Sequence, residues 1–141
     1  MTFKRFAFSL ISFAVGFFAL LNSHVAAQGV NDFTIKSFDV DYTLTNQDPQ
    51  GHLKVKETIT VDFSAQNHGI TRAIPNKYGD LDNNVQISVV RRDGKIEPYI
   101  TYFENDNKVL RIGDAGLTII GVHTYELEYT IDNVIDRKST R

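Results

Sequence analysis

Glu57 is the residue whose position most needs a chemical explanation. In Leu53-Lys54-Val55-Lys56-Glu57-Thr58-Ile59-Thr60-Val61-Asp62-Phe63 apolar and polar residues alternate, and the alternation sets Glu57 on the apolar face with Val55 and Ile59. An unpaired carboxylate on such a face costs on the order of several kcal/mol, so a cation is expected beside it. Arg72, in Gly69-Ile70-Thr71-Arg72-Ala73-Ile74-Pro75, is the nearest candidate in sequence. A structural ion pair, or a position at the rim of a sheet, is one reading of Glu57; a general acid is the other.

His52, His68 and His123 stand in no spacing that makes a metal site, and each is expected at the surface or in a turn. Asp80-Leu81-Asp82-Asn83-Asn84 begins like a calcium loop. Its sixth position is Val85 where glycine is needed, however, and its twelfth is Arg91 where a bidentate glutamate belongs, which leaves a weak irregular calcium site or a plain polar loop. No nucleophile elbow, phosphate loop, dinucleotide fingerprint or cysteine is present, so those enzyme classes have no motif and no cofactor is implied. Arg111-Ile112-Gly113-Asp114 could make an anion-binding turn, although turn chemistry alone explains it. Tyr78, Tyr99 and Tyr102 with Asp80, Asp82 and Glu97 could line a groove that binds or hydrolyses a carbohydrate.

The elements that must position these residues are strands. Phe38, Val40, Tyr42 and Leu44 alternate with Asp39, Asp41 and Thr43, which is the pattern of a half-buried strand. Turn formers from Asn46 to Gly51 then lead into the strand that carries Glu57. Val85, Ile87 and Val89 start a further strand, and Asp93-Gly94 favours a tight hairpin turn into a strand from Ile96 to Phe103. Pro98 cannot donate to a ladder, which puts that strand at a sheet edge or gives it a bulge. Glu104-Asn105-Asp106-Asn107 turns into Lys108 to Ile112, and Tyr125, Leu127, Tyr129 and Ile131 form one face of a last strand. With no helical periodicity after the first residues, the expectation is an all-β fold: an antiparallel β-sandwich, immunoglobulin-like, preceded by a signal-peptide helix.

That helix is read from the first residues. Lys4 and Arg5 precede an apolar run from Phe6 to Leu21, and Val25-Ala26-Ala27 supplies small residues for a peptidase, so cleavage between Ala27 and Gln28 is expected. As a helix the run reaches about 24 Å, short of the hydrocarbon thickness of about 30 Å, which makes an uncleaved anchor the lesser alternative. Residues 1–27 are thus assigned to the signal peptide, 28–135 to the β domain and 136–141 to a charged end.

Composition fits this division. The chain has 141 residues, 42% hydrophobic and 23% charged, within the range of single folded domains. Without Lys4 and Arg5, 13 of the 15 cationic side chains remain against 17 anionic ones, a balance of −4 that argues against nucleic acid as a partner. The absence of cysteine leaves stability to core burial and strand pairing.

Five stretches in order carry a resemblance: Ile35 to Tyr42, Leu53 to Phe63, His68 to Pro75, Arg111 to Asp114, and Gly121 to Tyr129. Together they resemble the N-terminal extracytoplasmic domain of the bacterial predicted membrane proteins grouped as domain of unknown function 2207, the YciQ-like family. The resemblance implies a leader, an extracytoplasmic β domain, and then transmembrane helices with a low-complexity tail. The chain departs from this after Asp136-Arg137-Lys138-Ser139-Thr140-Arg141, so a truncated product or fragment is expected, with membrane association through the missing helices. The family supplies no activity or catalytic residue to carry over. The functional expectation is a non-enzymatic envelope interaction module, exported to the outer face of the cytoplasmic membrane, whose partner is an envelope protein or another domain of its full-length form. The carbohydrate-binding or hydrolytic domain is the alternative.

Overall fold

The computed structural model describes residues 32–45, 51–78 and 81–135. The expected signal peptide, its cleavage site at Ala27 and Gln28, and the charged end at 136–141 lie outside the described residues, as do Gly79 and Asp80. All described elements are strands: β1 (Phe33–Thr45), β2 (His52–Asn67), β3 (Ile70–Pro75), β4 (Lys77–Tyr78), β5 (Leu81–Asp82), β6 (Gln86–Arg92), β7 (Lys95–Ile96), β8 (Tyr99–Glu104), β9 (Asn107–Ile112) and β10 (Ile119–Asp132). No helix among the described residues is long and apolar enough to cross a membrane.

The strands form antiparallel sheets. The larger has the order β1-β2-β10-β6-β7, the smaller β3-β9-β8, and β4 pairs with β5 alone. β2 and β10 lie at the centre of the larger sheet because their apolar alternation is the most regular. Register sets Val55 opposite Tyr129, Glu57 opposite Leu127 and Ile59 opposite Tyr125. Their buried side chains join Ile74 of β3 and Leu110 and Ile112 of β9 in one cluster that draws on both sheets. Full burial of each such aliphatic side chain contributes roughly 1.5–3 kcal/mol.

Two turns follow directly from side-chain chemistry. Asp93 and Gly94, between β6 and β7, have φ of 52° and 76°, and Asn105 and Asp106, between β8 and β9, have φ of 48° and 62°. Two successive positive values define the primed turn that matches strand twist, and Asp, Asn and Gly adopt it most readily.

Three sequence expectations are corrected. Val85, Ile87 and Val89 do not share a face: the pairing of β6 with β10 shifts by one residue between Ile87 and Val89, so Ile87, Val90 and Arg92 face Tyr129, Leu127 and Tyr125, and Val89 stands beside Glu128. A bulge of this kind re-aims every residue beyond it. The segment from Ile96 to Phe103 is not one strand. Lys95 and Ile96 pair with β6, whereas Tyr99 onward pairs with β9 in the other sheet, and the change of sheet takes place at Glu97 and Pro98, where a missing donor does no harm. Lastly, β1 is longer than its alternation shows and far less buried. A bulge at Lys36 brings Ile35 and Phe38 onto the face of Val61 and Ile59, yet Phe38, Tyr42 and Leu44 remain 50%, 65% and 57% exposed.

β1 begins with Phe33 opposite Phe63, at one end of the larger sheet. At the other end Asp132 lies opposite His52, and Ile135 packs against Gly51.

Candidate functional site

Two groups of one glutamate, one arginine and one tyrosine are built on the inward face of β10. In the first, Glu57 is 1% exposed. Arg72 Nε donates to its Oε2 at 2.8 Å and Arg72 Nη2 to its Oε1 at 2.6 Å, the two-pronged geometry that suits a guanidinium to a carboxylate. Tyr129 Oη donates to the same Oε1 at 2.7 Å. The remaining arm of Arg72, Nη1, donates to the Ala73 carbonyl, and the guanidinium carbon lies 5.4 Å from the centre of the Phe38 ring. Hydrogen bonds to Glu57 hold the Arg72 pKa above its usual value in spite of burial. Burial first, and then Glu57, push the Tyr129 hydroxyl well above the usual tyrosine range. Glu57 and Tyr129 belong to the larger sheet and Arg72 to the smaller, so the group ties one to the other.

In the second group, Arg92 lies opposite Tyr125 in register, and its Nε is 3.0 Å from Glu97 Oε1, though out of line for a hydrogen bond. Tyr125 is wholly buried, and its hydroxyl has no hydrogen-bond partner among the described residues. Burial raises that hydroxyl to about 12. The first group is fully donated; the second carries two buried polar atoms without a hydrogen bond, Arg92 Nε and Tyr125 Oη.

The tip of the hairpin between β6 and β7 is fastened by Asp93. Its Oδ1 accepts from the Thr124 amide at 2.9 Å and its Oδ2 lies 2.6 Å from His123 Nδ1. Burial tends to raise the Asp93 pKa, but the Thr124 amide, His123 and Arg92 outweigh it and hold the carboxyl below its usual value. At the other end of the larger sheet, Asp132 lies 2.7 Å from His52 Nδ1 and accepts from Asn84 Nδ2 at 2.8 Å. Buried Asn76 donates to Asp82 at 2.9 Å and accepts from the Val85 amide at 3.1 Å. His68 Nδ1 is 2.9 Å from the Leu117 carbonyl. Among the described residues no three His, Cys, Asp or Glu side chains cluster in a way that could hold a metal.

Of the supposed carbohydrate groove, Asp80 and the Tyr78 side chain lie outside what the structure describes, and the other four residues are not brought together. Tyr99 shares the face of Ile112 and Tyr102 that of Val109, on opposite sides of β8. Glu97 is buried beside Arg92, and Asp82 is committed to Asn76 and to the Asn84 amide. Tyr99 does line an open cleft of about 520 Å³ with His68, Arg111 and Asp114. A second cleft, of about 480 Å³, runs between β1 and β3, with Phe33, Phe38 and Ile70 among its walls and Arg72 at its margin.

Sequence reading finds Glu57 and Arg72 but misses Tyr129, Arg92 and Tyr125. Tyr129 differs in no visible way from the other apolar positions of β10, and the bulge in β6 hides the inward aim of Arg92. A signal for the close approach of two turns was present, in the glycines of His68-Gly69 and Ile112-Gly113. A Cβ on Gly69 would lie 2.0 Å from the Ile112 oxygen, and one on Gly113 would lie 1.9 Å from the His68 oxygen, so each backbone needs the other bare.

These segments are the ones that carry the family resemblance: β2, the turn into β3, the end of β9, and β10. The family profile described as predicted membrane protein (DUF2207) N-terminal domain matches residues 34–140. No curated protein and no solved structure matches the chain. With its two facing turns, its Glu57-bearing strand and its β10 all inside the matched span, the chain belongs to the DUF2207 family of predicted membrane proteins and carries that family's N-terminal domain.

Proposed function

We propose that this domain is a non-enzymatic interaction module, folded as an immunoglobulin-like β-sandwich and exported to the outer face of the cytoplasmic membrane or the cell envelope. A single buried cluster drawn from both sheets supports the sandwich. Membership in a family of predicted membrane proteins supports the location, with the domain held to the membrane by parts of the full-length protein beyond it.

The observation that carries the interaction role is the uncovered inward face of β1. Phe38 and Tyr42 are half or more exposed although the residues opposite them on β2, Ile59 and Val55, are buried. Apolar side chains aligned along one strand, at the margin of a core, mark a surface that binds something. The test is photo-crosslinking in intact cells that express the full-length protein, with the reactive residue placed at Tyr42 and, as control, at Thr58 on the opposite face. A discrete adduct from Tyr42, absent from Thr58 and abolished by Phe38→Ser, is expected. No adduct from Tyr42 rejects the role.

The carbohydrate reading has one observation in its favour, the cleft that sets Tyr99 beside Arg111 and Asp114. Saturable binding on a glycan array that disappears in Tyr99→Ala would support that reading over the first.

A further inference from the structure

Over the half of the larger sheet nearer its Asp132 end the sign of charge on the outward face alternates from strand to strand, while at the opposite end Lys36 of β1 lies 3.2 Å from Asp62 of β2. β6 presents Arg91, β10 presents Glu126 and Glu128, β2 presents Lys54 and Lys56, and β1 presents Asp39 and Asp41. Register aligns these residues across the ladder. Arg91 is opposite Glu126, Glu128 is opposite Lys56, and Lys56 is opposite Asp41; Arg91 Nη1 also lies 3.9 Å from Glu128 Oε1. In that half the alternation ends at β1 on the carboxylates Asp39 and Asp41, since Lys36 is taken up by Asp62. Asp39 stands opposite Thr58, so no cation faces it directly, and the far edge of β1 pairs with no described strand.

The other face of β1 is apolar and open, above the cleft walled by Phe33, Ile35, Phe38, Ile59, Val61 and Ile70. Across that cleft lies β3, itself the edge strand of the smaller sheet. An unpaired strand edge offers backbone donors and acceptors in the spacing of another strand, which a helix or a lipid chain cannot match.

We propose that the β1 edge takes up an extended peptide as an added antiparallel strand, with apolar side chains turned into the cleft and Lys or Arg side chains turned outward beside Asp39 and Asp41. This rests on the interaction reading above and names the partner's chemistry. Period-two geometry lets one segment satisfy both faces, and opposite charges across a ladder each contribute favourably. A second copy of the chain paired antiparallel about Val40 is disfavoured, since that register sets Asp39 directly against Asp41, and like charges so placed repel.

The test is fluorescence anisotropy with the purified full chain and short labelled peptides that alternate valine with lysine. Controls are a twin with glutamate for lysine, a scrambled peptide of the same composition, and the lysine peptide N-methylated at alternate residues. Saturable binding of the lysine peptide is expected, weakened by about tenfold or more in each control, because charge, alternation and backbone donors are all required. In the double variant Asp39→Lys, Asp41→Lys the preference should reverse toward the glutamate twin. Equal binding of the scrambled or N-methylated peptide overturns the proposal, as does no saturable binding of the lysine peptide at all. If no peptide binds while the Tyr42 adduct still forms in cells, strand addition falls and the interaction role stands; if both fail, both are rejected.

Discussion

The hydroxyl of Tyr129 meets Glu57 Oε1 at 2.7 Å although 72 residues separate the two in sequence. The contact is possible because β2 and β10 are neighbours in one sheet, with Val55 opposite Tyr129 and Glu57 one step further along the same face. With Arg72 arriving from the other sheet, a fully buried carboxylate receives three donors. This satisfies the demand that a buried charge be paired and fully hydrogen-bonded.

Removing either partner of the Glu57–Arg72 pair should therefore be costly. Glu57→Ala is expected to destabilise by about 3–5 kcal/mol, since it leaves a half-buried guanidinium unpaired. A double-mutant cycle of Glu57→Leu and Arg72→Leu in urea should give a coupling well above about 1 kcal/mol, the ceiling for exposed pairs. Additive effects would show that the pair carries no special weight.

Two tyrosines on one face of β10 should respond oppositely to loss of their hydroxyls. Tyr129→Phe removes a hydrogen bond to a charged acceptor and is expected to cost about 2 kcal/mol. Tyr125→Phe removes a hydroxyl with no partner, so stability should change by less than about 0.5 kcal/mol or improve. Equal losses in the two variants would contradict this contrast.

The same hydroxyls contribute to the alkaline limb of stability. Burial lifts Tyr125 to about 12, above the unfolded value of about 10, so the folded state favours the protonated phenol. Stability from this source is intact below about pH 10 and is lost as pH rises toward 12. Tyr125→Phe should flatten part of that decline in unfolding midpoints measured across the range.

Asp93 contributes on the acid side. Its folded pKa is depressed, so its contribution is present above the unfolded value of about 4 and is lost as pH falls through the folded value. Asp93→Asn keeps a residue suited to φ of 52° and removes the charge, and should flatten the loss of stability below about pH 4. An unchanged acid limb would remove Asp93 from the account.

Among the glycines, Gly69→Ala or Gly113→Ala should destabilise by more than about 3 kcal/mol, since each new methyl would meet backbone oxygen. Gly94→Ala, with nothing within 4 Å of its Cβ, should cost about 1 kcal/mol from its φ of 76° alone. Thermal unfolding of the three variants ranks them.

Much of the architecture was legible wherever alternation ran unbroken. β2 from Leu53 to Phe63 and β10 from Thr124 to Ile131 could be read residue by residue, and so could the burial of Glu57 and the two polar turns. What escaped depended on one extra residue at a time. The bulge at Lys36 concealed the first part of β1, and the shift in β6 moved Val89 outward and Arg92 inward. The exposure of the β1 face was hidden for a different reason: a period-two pattern says which side chains share a face, not whether the opposing sheet extends far enough to cover them.

The positions of the first and last described residues have a mechanical consequence. Asp32 and Ile135 sit at opposite ends of the larger sheet, about 40 Å apart if β1 rises by about 3.3 Å per residue. Tension through these two points runs along the strands, and β1 and β10 both flank β2 in the same direction. The load would then fall in shear on the β1–β2 and β2–β10 ladders in series, so that the hydrogen bonds of one whole ladder must rupture in concert. Pulling through Thr45 and His52 would instead peel β1 from β2 one pair at a time. Single-molecule stretching should show a markedly higher rupture force for the first geometry.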